Sequence, residues 1–450
     1  MNVCAELEKY AHDIVNATNH VIALLKEANL GAPDSLSNPF PTHMDISGDA
    51  PRDLCSARQH VLSSVKQLQI YLTQPSDFIQ QIANKAQILA CLRWLGDFQV
   101  LPCIPLGESA SIEDIADLTG VSGAQLSRIV RTTAMAGFLH EPSPGLIAHT
   151  PLSARFVTQY WFLDAAMFLA ETGVPMALQT STATRLQVQL GRDTEASTPY
   201  AVAFNTSQAF PLACERSKKL KRQWLAFSRC LIDAEEQFMG ALSQLNWGDS
   251  LIVIVCADSS EVAVALGRQS PTLQFIVQMH ESTSTSSKFI EFGRPRSVSE
   301  VGQNDLVDSK ISIQKRAPGS PQTVRDATVY LLRLLIGDLR QISCPGTDSS
   351  QIISELWAHL GILKTNRVAT FVLVAQLLPE PGSISPDIEE AARLRDLWKM
   401  QLVDGHEIQL GELTEMIHSV NDGVGRLVVV NKVRPRSSAT MVLEIKYQDS

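Results

Sequence analysis

The chemically capable residues of this chain are its eight cysteines, its ten histidines, one basic run and one strand-to-helix turn. Cys4, Cys55, Cys91, Cys103, Cys214, Cys230, Cys256 and Cys344 form no C-x-x-C pair, and no His/Cys cluster has zinc-finger spacing. No metal site is expected, and the cysteines read as buried free thiols in a reducing compartment. His280, His359, His406 and His418 are scattered and read as surface or helix histidines. In the run Glu215–Arg222, residues Lys218, Lys219 and Lys221, continued by Arg222, fit a minimal nuclear-import pattern. The competing reading of that run is a solvated helix face. The turn Cys256-Ala257-Asp258-Ser259-Ser260 follows the apolar run Leu251–Cys256. In an open α/β sheet the ligand sits beyond the carboxyl end of such a strand, and glycines in the turn let the backbone approach it. This turn has no glycine.

Elements must position those groups, and composition bounds what they are. The chain has 450 residues and a net charge of −9, with 45% hydrophobic and 19% charged residues. That excludes a disordered chain and argues against direct nucleic-acid binding, because acidic protein is repelled by phosphates. No apolar run approaches the roughly 20 residues of a membrane span. Met1–Tyr10 has no apolar signal core. A soluble intracellular protein is expected, in four parts: N-terminal helices and linker (1–75), a winged-helix dimerisation-type domain (76–160), a helical connector (161–245) and a Rossmann-type domain (246–450).

Leu7, Ile14, Val21, Leu24 and Leu25 fall at helical spacing within Ala5–Ala28. Gly31–Pro51 holds four prolines and reads as a linker, and a second helix runs from Arg52 to Leu72. Phe78, Ile82, Ile88, Leu89, Leu92, Leu95 and Phe98 predict an apolar helix ending near Pro102. Ser111 caps a helix with Ile112, Ile115, Ala116 and Leu118 inward, stopped by Gly120. Ser122 caps the next, with Leu126, Ile129, Val130 and Met135 on one face, and Phe138–Thr150 reads as a two-stranded wing. This is a winged helix-turn-helix. Its second helix offers only Arg128 and Arg131 as cations, too few for a groove reader, so dimer packing is the favoured use.

Leu163–Gly240 reads as mostly helical. Beyond Trp247 the pattern changes to strands at Leu251–Cys256, Leu273–Val277, Ala327–Ile336, Val368–Leu378, Leu427–Val433 and Thr440–Tyr447. Helices fit at Ser260–Gln269, Ser349–Leu363 and Ile388–Leu402, and Ser282–Ser287 is a low-complexity loop. The fold class is therefore α/β with an all-α N-terminal part, its sheet doubly wound.

The first strand, its turn and Pro271-Thr272-Leu273-Gln274-Phe275 resemble class I methyltransferases of the plant and fungal O-methyltransferase type. The resemblance covers roughly Asp77–Val433. It implies a winged-helix dimerisation domain ahead of a fold that binds S-adenosylmethionine. Each working position departs from the pattern. The family's Gly-rich turn maps onto Cys256, Ala257, Asp258 and Ser260, its strand-end acid onto Ile254, and its ribose-binding acid onto Met279. The catalytic histidine, carried by a segment like Tyr330–Asp338, maps onto Gly337. A positioned general base is typically worth about 10²–10⁴ in rate, and glycine cannot supply one. Neither cofactor binding nor O-methylation is expected.

Ile88–Leu101, Gly137–Gly145 and Leu443-Glu444-Ile445-Lys446-Tyr447 resemble the aflatoxin/sterigmatocystin-cluster coactivators of filamentous fungi and their relatives in other polyketide clusters. That resemblance implies a non-enzymatic regulator, present in the nucleus and also the cytoplasm. Such a regulator binds the cluster's zinc-cluster transcription factor and promotes transcription of the pathway genes. The acidic surface suits a basic partner that itself holds the DNA. The alternative is a repurposed methyltransferase-fold enzyme of the same pathway, a cyclase or an O-methyltransferase. Neither resemblance identifies the metabolite.

Overall fold

A computed structural model describes residues 3–27, 52–190, 198–231, 234–257, 259–279, 310–334, 347–435 and 438–449. The expected linker Gly31–Pro51 and the loop Ser282–Ser287 lie outside them, as do Asp258, His280, Gly337 and Cys344. The chain separates into two units, Met1–Pro175 with Arg222–Phe227, and Met176–Lys221 with Ser228–Ser450. The stretch expected as a helical connector is shared between them.

In the first unit α1 (Val3–Glu27) and α2 (Arg52–Leu72) pair around Val21, Leu54 and Ala57. Helix α3 (Pro75–Asp97) opens on a proline, with the Asp77 carboxylate accepting the Gln74 N–H at 3.0 Å. It does not continue to Pro102. Gln99 takes a left-handed φ of 51° and ends the hydrogen-bond ladder, and a separate turn, α4 (Val100–Cys103), begins. The break buries Val100 and Leu101 and leaves Pro102 in a first turn, where its missing N–H costs nothing. Phe78 and Ile82, expected on the packed face of α3, are 56% and 52% exposed. Gly96 gives Met167 room: a Cβ there would lie 2.8 Å from Met167 Sδ, and the Met167 side chain would have to shift.

Ser111 caps α5 (Ile112–Thr119) as expected, its hydroxyl accepting from Glu113 and Asp114 N–H. Ser122 stands at the N-cap of α6 (Gly123–Ala134), but its hydroxyl accepts no capping bond. Strands β1 (Ala110–Ser111), β2 (Leu139–His140) and β3 (Leu146–His149) form an antiparallel sheet in the order β1-β3-β2, so the hairpin gains a third strand. Leu95, Leu126, Val130, Leu139 and Ile147 make the core. Leu118 and Met135, expected inward, are exposed. At 100° per residue Leu118 falls roughly 110° from the Ile112–Ile115–Ala116 stripe. Met135 is the C-cap residue, past the last helical turn.

Two further helices, α7 (Pro151–Thr158) and α8 (Trp161–Phe168), follow, and α8 runs on through a π-helical turn at Leu169–Gly173. The stretch Trp161–Leu178 reaches a mean hydropathy of 1.2 over 18 residues, longer and more apolar than expected. Its Asp164 and Glu171 bond Arg222 and Gln223, and Phe168 is fully buried against Trp224 and Phe227. Those are the contacts of a helix packed in protein.

Helices α9 (Val174–Leu178), α10 (Thr180–Leu190), α11 (Pro199–Phe204), α12 (Phe210–Arg216), α13 (Lys218–Leu231) and α14 (Ala234–Leu242) follow, in the second unit apart from the start of α9 and Arg222–Phe227 of α13. The sheet comprises β4 (Leu251–Ala257), β5 (Gln274–Met279), β6 (Ile311–Lys315), β7 (Val329–Arg333), β8 (Thr370–Gln376), β9 (Gly425–Val433) and β10 (Thr440–Asp449). Their order is β6-β5-β4-β7-β8-β10-β9. The first five are parallel, and β10 runs antiparallel to both its neighbours. Strand β6 was not legible because it is an exposed edge with too little apolar pattern. Around the sheet lie α15 (Glu261–Gln269), α16 (Thr347–Thr365), α17 (Pro386–Val403) and α18 (Leu410–Ser419). One face packs on α16 and α18 through Leu356, Leu360 and Leu413, the other on α14 and α15 through Phe238, Leu242 and Leu266. Strand order reverses between β4 and β7, the switch point beside which such sheets bind ligands.

Candidate functional site

The carboxyl end of β4 brings together the turn residues singled out by sequence. Cys256 adopts φ 55°, the left-handed region where glycine is strain-free and an L side chain costs about 1–2 kcal/mol. The β4–β5 register shifts between Ile254 and Ala257 at the same point. The backbone thus keeps a bend suited to glycine and carries a thiol on it. Ser260 stands at the N-cap of α15 without a capping bond from its side chain. Ile254, 3% exposed, and Met279 pack into one apolar cluster with Phe275, Val277 and Leu266. An aliphatic chain and a thioether offer nothing to ribose hydroxyls, and leaving such groups unpaired on burial costs about 1–3 kcal/mol each.

Beneath this edge lies a buried polar network that sequence reasoning missed. The Cys256 thiol donates to Glu355 Oε1 at 3.4 Å. Glu355, wholly buried on α16, pairs with Arg316 at 2.9 Å and also accepts the Gly319 N–H. Arg316 donates in addition to the Ser320 carbonyl. Four residues along α16, His359 is fully buried between the rings of Tyr330 and Phe371. Burial pulls its imidazole down to about 4. The ring is therefore neutral, and its 3.8 Å approach to the Glu355 carboxylate is not an ion pair. The bonding assigns the tautomer: Nδ1–H donates to the Glu355 carbonyl at 2.7 Å, and Nε2 accepts from Gln322 at 3.0 Å. Gln322 and Gln278 exchange amide bonds at 2.8 Å in both directions. The one sequence signal was Glu355 and His359 at i, i+4 within the apolar stretch Ile352–Leu363 of that helix.

The network ties β4, β5, the loop after β6 and α16 together, leaving Arg316 Nε buried without a hydrogen-bond acceptor. Among the described residues no group of three or more His, Cys, Asp or Glu side chains could hold a metal ion. The described cysteines form no disulfide, but the expectation that all are buried fails: Cys4 and Cys230 are exposed, whereas Cys214 is buried. His406 is surface-placed, bonded to Glu412.

Two other sequence candidates are placed as follows. Of the cations on α6, Arg131 forms a two-bond ion pair with Glu141 at 2.7 and 3.0 Å. Arg131, with the Gly145 N–H, pulls the Glu141 carboxyl down to about 2. Arg131 is thus committed to the hairpin. Lys218, Lys219 and Lys221 occupy the exposed first turn of α13, and Arg222 pairs with Asp164 at 2.8 Å.

A sequence model of the trypacidin cluster transcriptional coactivator tpcD N-terminal domain matches residues 4–73. A transcriptional coactivator of Pseudocercospora fijiensis is 47% identical, covering 80% of this chain and 96% of that protein. The dothistromin biosynthesis regulatory protein aflJ of Dothistroma septosporum is 37% identical over 100% of this chain and 99% of its own length. Among solved structures, LepI in complex with SAM aligns with a TM-score of 0.62 at 14% identity, over 96% of this chain and 100% of that one. The mitomycin 7-O-methyltransferase MmcR aligns with a TM-score of 0.56 at 16% identity, over 83% and 98%. At those identities the structures carry the fold alone, the methyltransferase-type sheet described above. By its full-length sequence relatives, the chain belongs to the family of transcriptional coactivators of fungal biosynthetic gene clusters.

Proposed function

We propose that this protein is a pseudo-methyltransferase that coactivates a polyketide cluster without catalysis, by binding the cluster's zinc-cluster transcription factor. The observation that carries this reading is the β4 edge: Ile254 and Met279 lie in an apolar cluster, and the Cys256 thiol is committed to Glu355. S-adenosylmethionine is not bound, and calorimetry at millimolar cofactor returns no heat. The protein touches no DNA itself, consistent with the commitment of Arg131 to Glu141. It works as a homodimer, in the nucleus with a cytoplasmic pool, and Lys218, Lys219, Lys221 and Arg222 are the import signal.

RNA profiling of a deletion strain tests the whole reading. Loss of the pathway transcripts supports it. Normal transcripts with one accumulating intermediate replace it with an enzyme. Co-precipitation of the zinc-cluster factor tests the partner, and cytoplasmic retention of a fluorescent fusion carrying Lys218→Ala, Lys219→Ala and Lys221→Ala tests the import signal.

A further inference from the structure

We infer that Arg395 anchors a binding site for a small organic monocarboxylate carried on an apolar or aromatic body. Helix α17 turns a stripe of Ala392, Arg395, Trp398 and Leu402 inward, each 8% exposed or less. Arg395 itself is 6% exposed, and its Nε and Nη2 are buried with no hydrogen-bond partner. Buried charged groups ordinarily bring partners with them, because water no longer solvates the charge. Arg316 keeps two such acceptors, Glu355 and the Ser320 carbonyl. Arg393, two residues away on α17, holds Glu389 and the Pro379 carbonyl. Glu407, 8% exposed, supports the Arg395 charge through its field without bonding either of the two nitrogens.

The unused donors select the ligand. Nε and Nη2 form one edge of the guanidinium, the same edge with which Arg131 takes both oxygens of Glu141. Two parallel N–H donors match a carboxylate. The surroundings are apolar: Leu378, just beyond β8, and Ala439, just before β10, pack on Ala392 and Ile388 of α17. Beside them Thr440 stands opposite Gln376 across the two strands, and Thr440 Oγ1 and Gln376 Oε1 are likewise buried without a partner. A hydroxyl on the ligand would satisfy them. Neither Arg395 nitrogen is open to solvent, so the ligand displaces packing instead of filling an open cleft. The inference does not rest on the coactivator reading, since it assigns a ligand and no partner.

Calorimetry and melting temperatures on the full chain test it, with 3-hydroxy-2-naphthoate at millimolar concentration as the probe. The naphthoate is expected to bind and to raise the melting temperature by about 1–2 °C. 3-Hydroxy-2-naphthamide, the same body without the charge, is expected to bind roughly tenfold more weakly. Arg395→Met abolishes binding. Arg395→Lys keeps a charge beside Glu407 but loses the paired edge, and weakens the naphthoate by about tenfold; it decides the matter even where Arg395→Met does not fold. The inference is overturned by a wild type that binds no naphthoate, by an amide that binds as well as the acid, or by an Arg395→Lys variant as tight as wild type. Inorganic phosphate that raises the melting temperature as much as the naphthoate also overturns it, and gives the guanidinium edge to a phosphate.

Discussion

Two residues show how the carboxyl edge of β4 and the network beneath it are held. At Cys256 a left-handed backbone carries a side chain, so Cys256→Gly should relieve roughly 1 kcal/mol of strain, partly offset by the lost bond to Glu355. Melting temperatures should place Cys256→Gly at or above wild type. Cys256→Val, β-branched at positive φ, should lie clearly below it. At His359 the ordinary imidazole value near 6.5 drops to about 4 through burial. Between pH 6.5 and 4 the unfolded chain takes up this proton and the folded chain does not. Stability therefore falls as the pH falls through that window, by about 3 kcal/mol in total. Relative to wild type, His359→Gln should show a flatter melting-temperature profile from pH 7 to 4.5; parallel profiles would exclude the assignment. Ile254, Met279 and the glycine-free turn were readable by residue type, which a linear string carries directly. The Glu355–Arg316–His359 network was not readable, because Arg316 and Glu355 lie 39 residues apart and meet only across the packed face of the sheet.

At the scale of elements, the β9–β10 hairpin explains the closing Leu443–Tyr447 motif. The Tyr447 hydroxyl donates to Asp422 at 2.8 Å, and Lys364 of α16 reaches the same carboxylate at 2.6 Å. The Lys364 ammonium, with the Tyr447 hydroxyl, holds the Asp422 carboxyl well below the usual carboxylate range. Gly425 donates its N–H to Asp422 at 3.0 Å and lets the two strands close. A Cβ at Gly425 would strike the Gln448 carbonyl and lie 2.6 Å from Tyr447 Cζ. Gly425→Ala is expected to cost about 2–3 kcal/mol, an overpacking loss against backbone that cannot yield. Chemical denaturation measures it, and a loss under 1 kcal/mol would show that the hairpin shifts freely. Long apolar helices and buried strands were legible by period. The edge strand β6 and the break at Gln99 were not, since one lacks a buried face and the other is a single dihedral angle.

For the whole molecule, the net charge of −9 gives the proposed basic partner a test. Affinity for the zinc-cluster factor should fall by roughly tenfold between 0.1 and 0.5 M salt, as exposed opposite charges are screened. A salt-independent isotherm would point to an apolar contact instead. Composition and periodicity alone determined an α/β chain with a helical front, and the resemblance of its motifs pointed to a methyltransferase-type sheet and to the coactivator family. Those properties depend on residue type and local period, which a linear string carries in full. Tertiary structure alone decided that Cys256 bends like a glycine, that His359 is sealed and neutral, and that α3 leaves half its length uncovered. Each depends on which distant residues come to surround a side chain, and burial and partnering arise only when the elements pack.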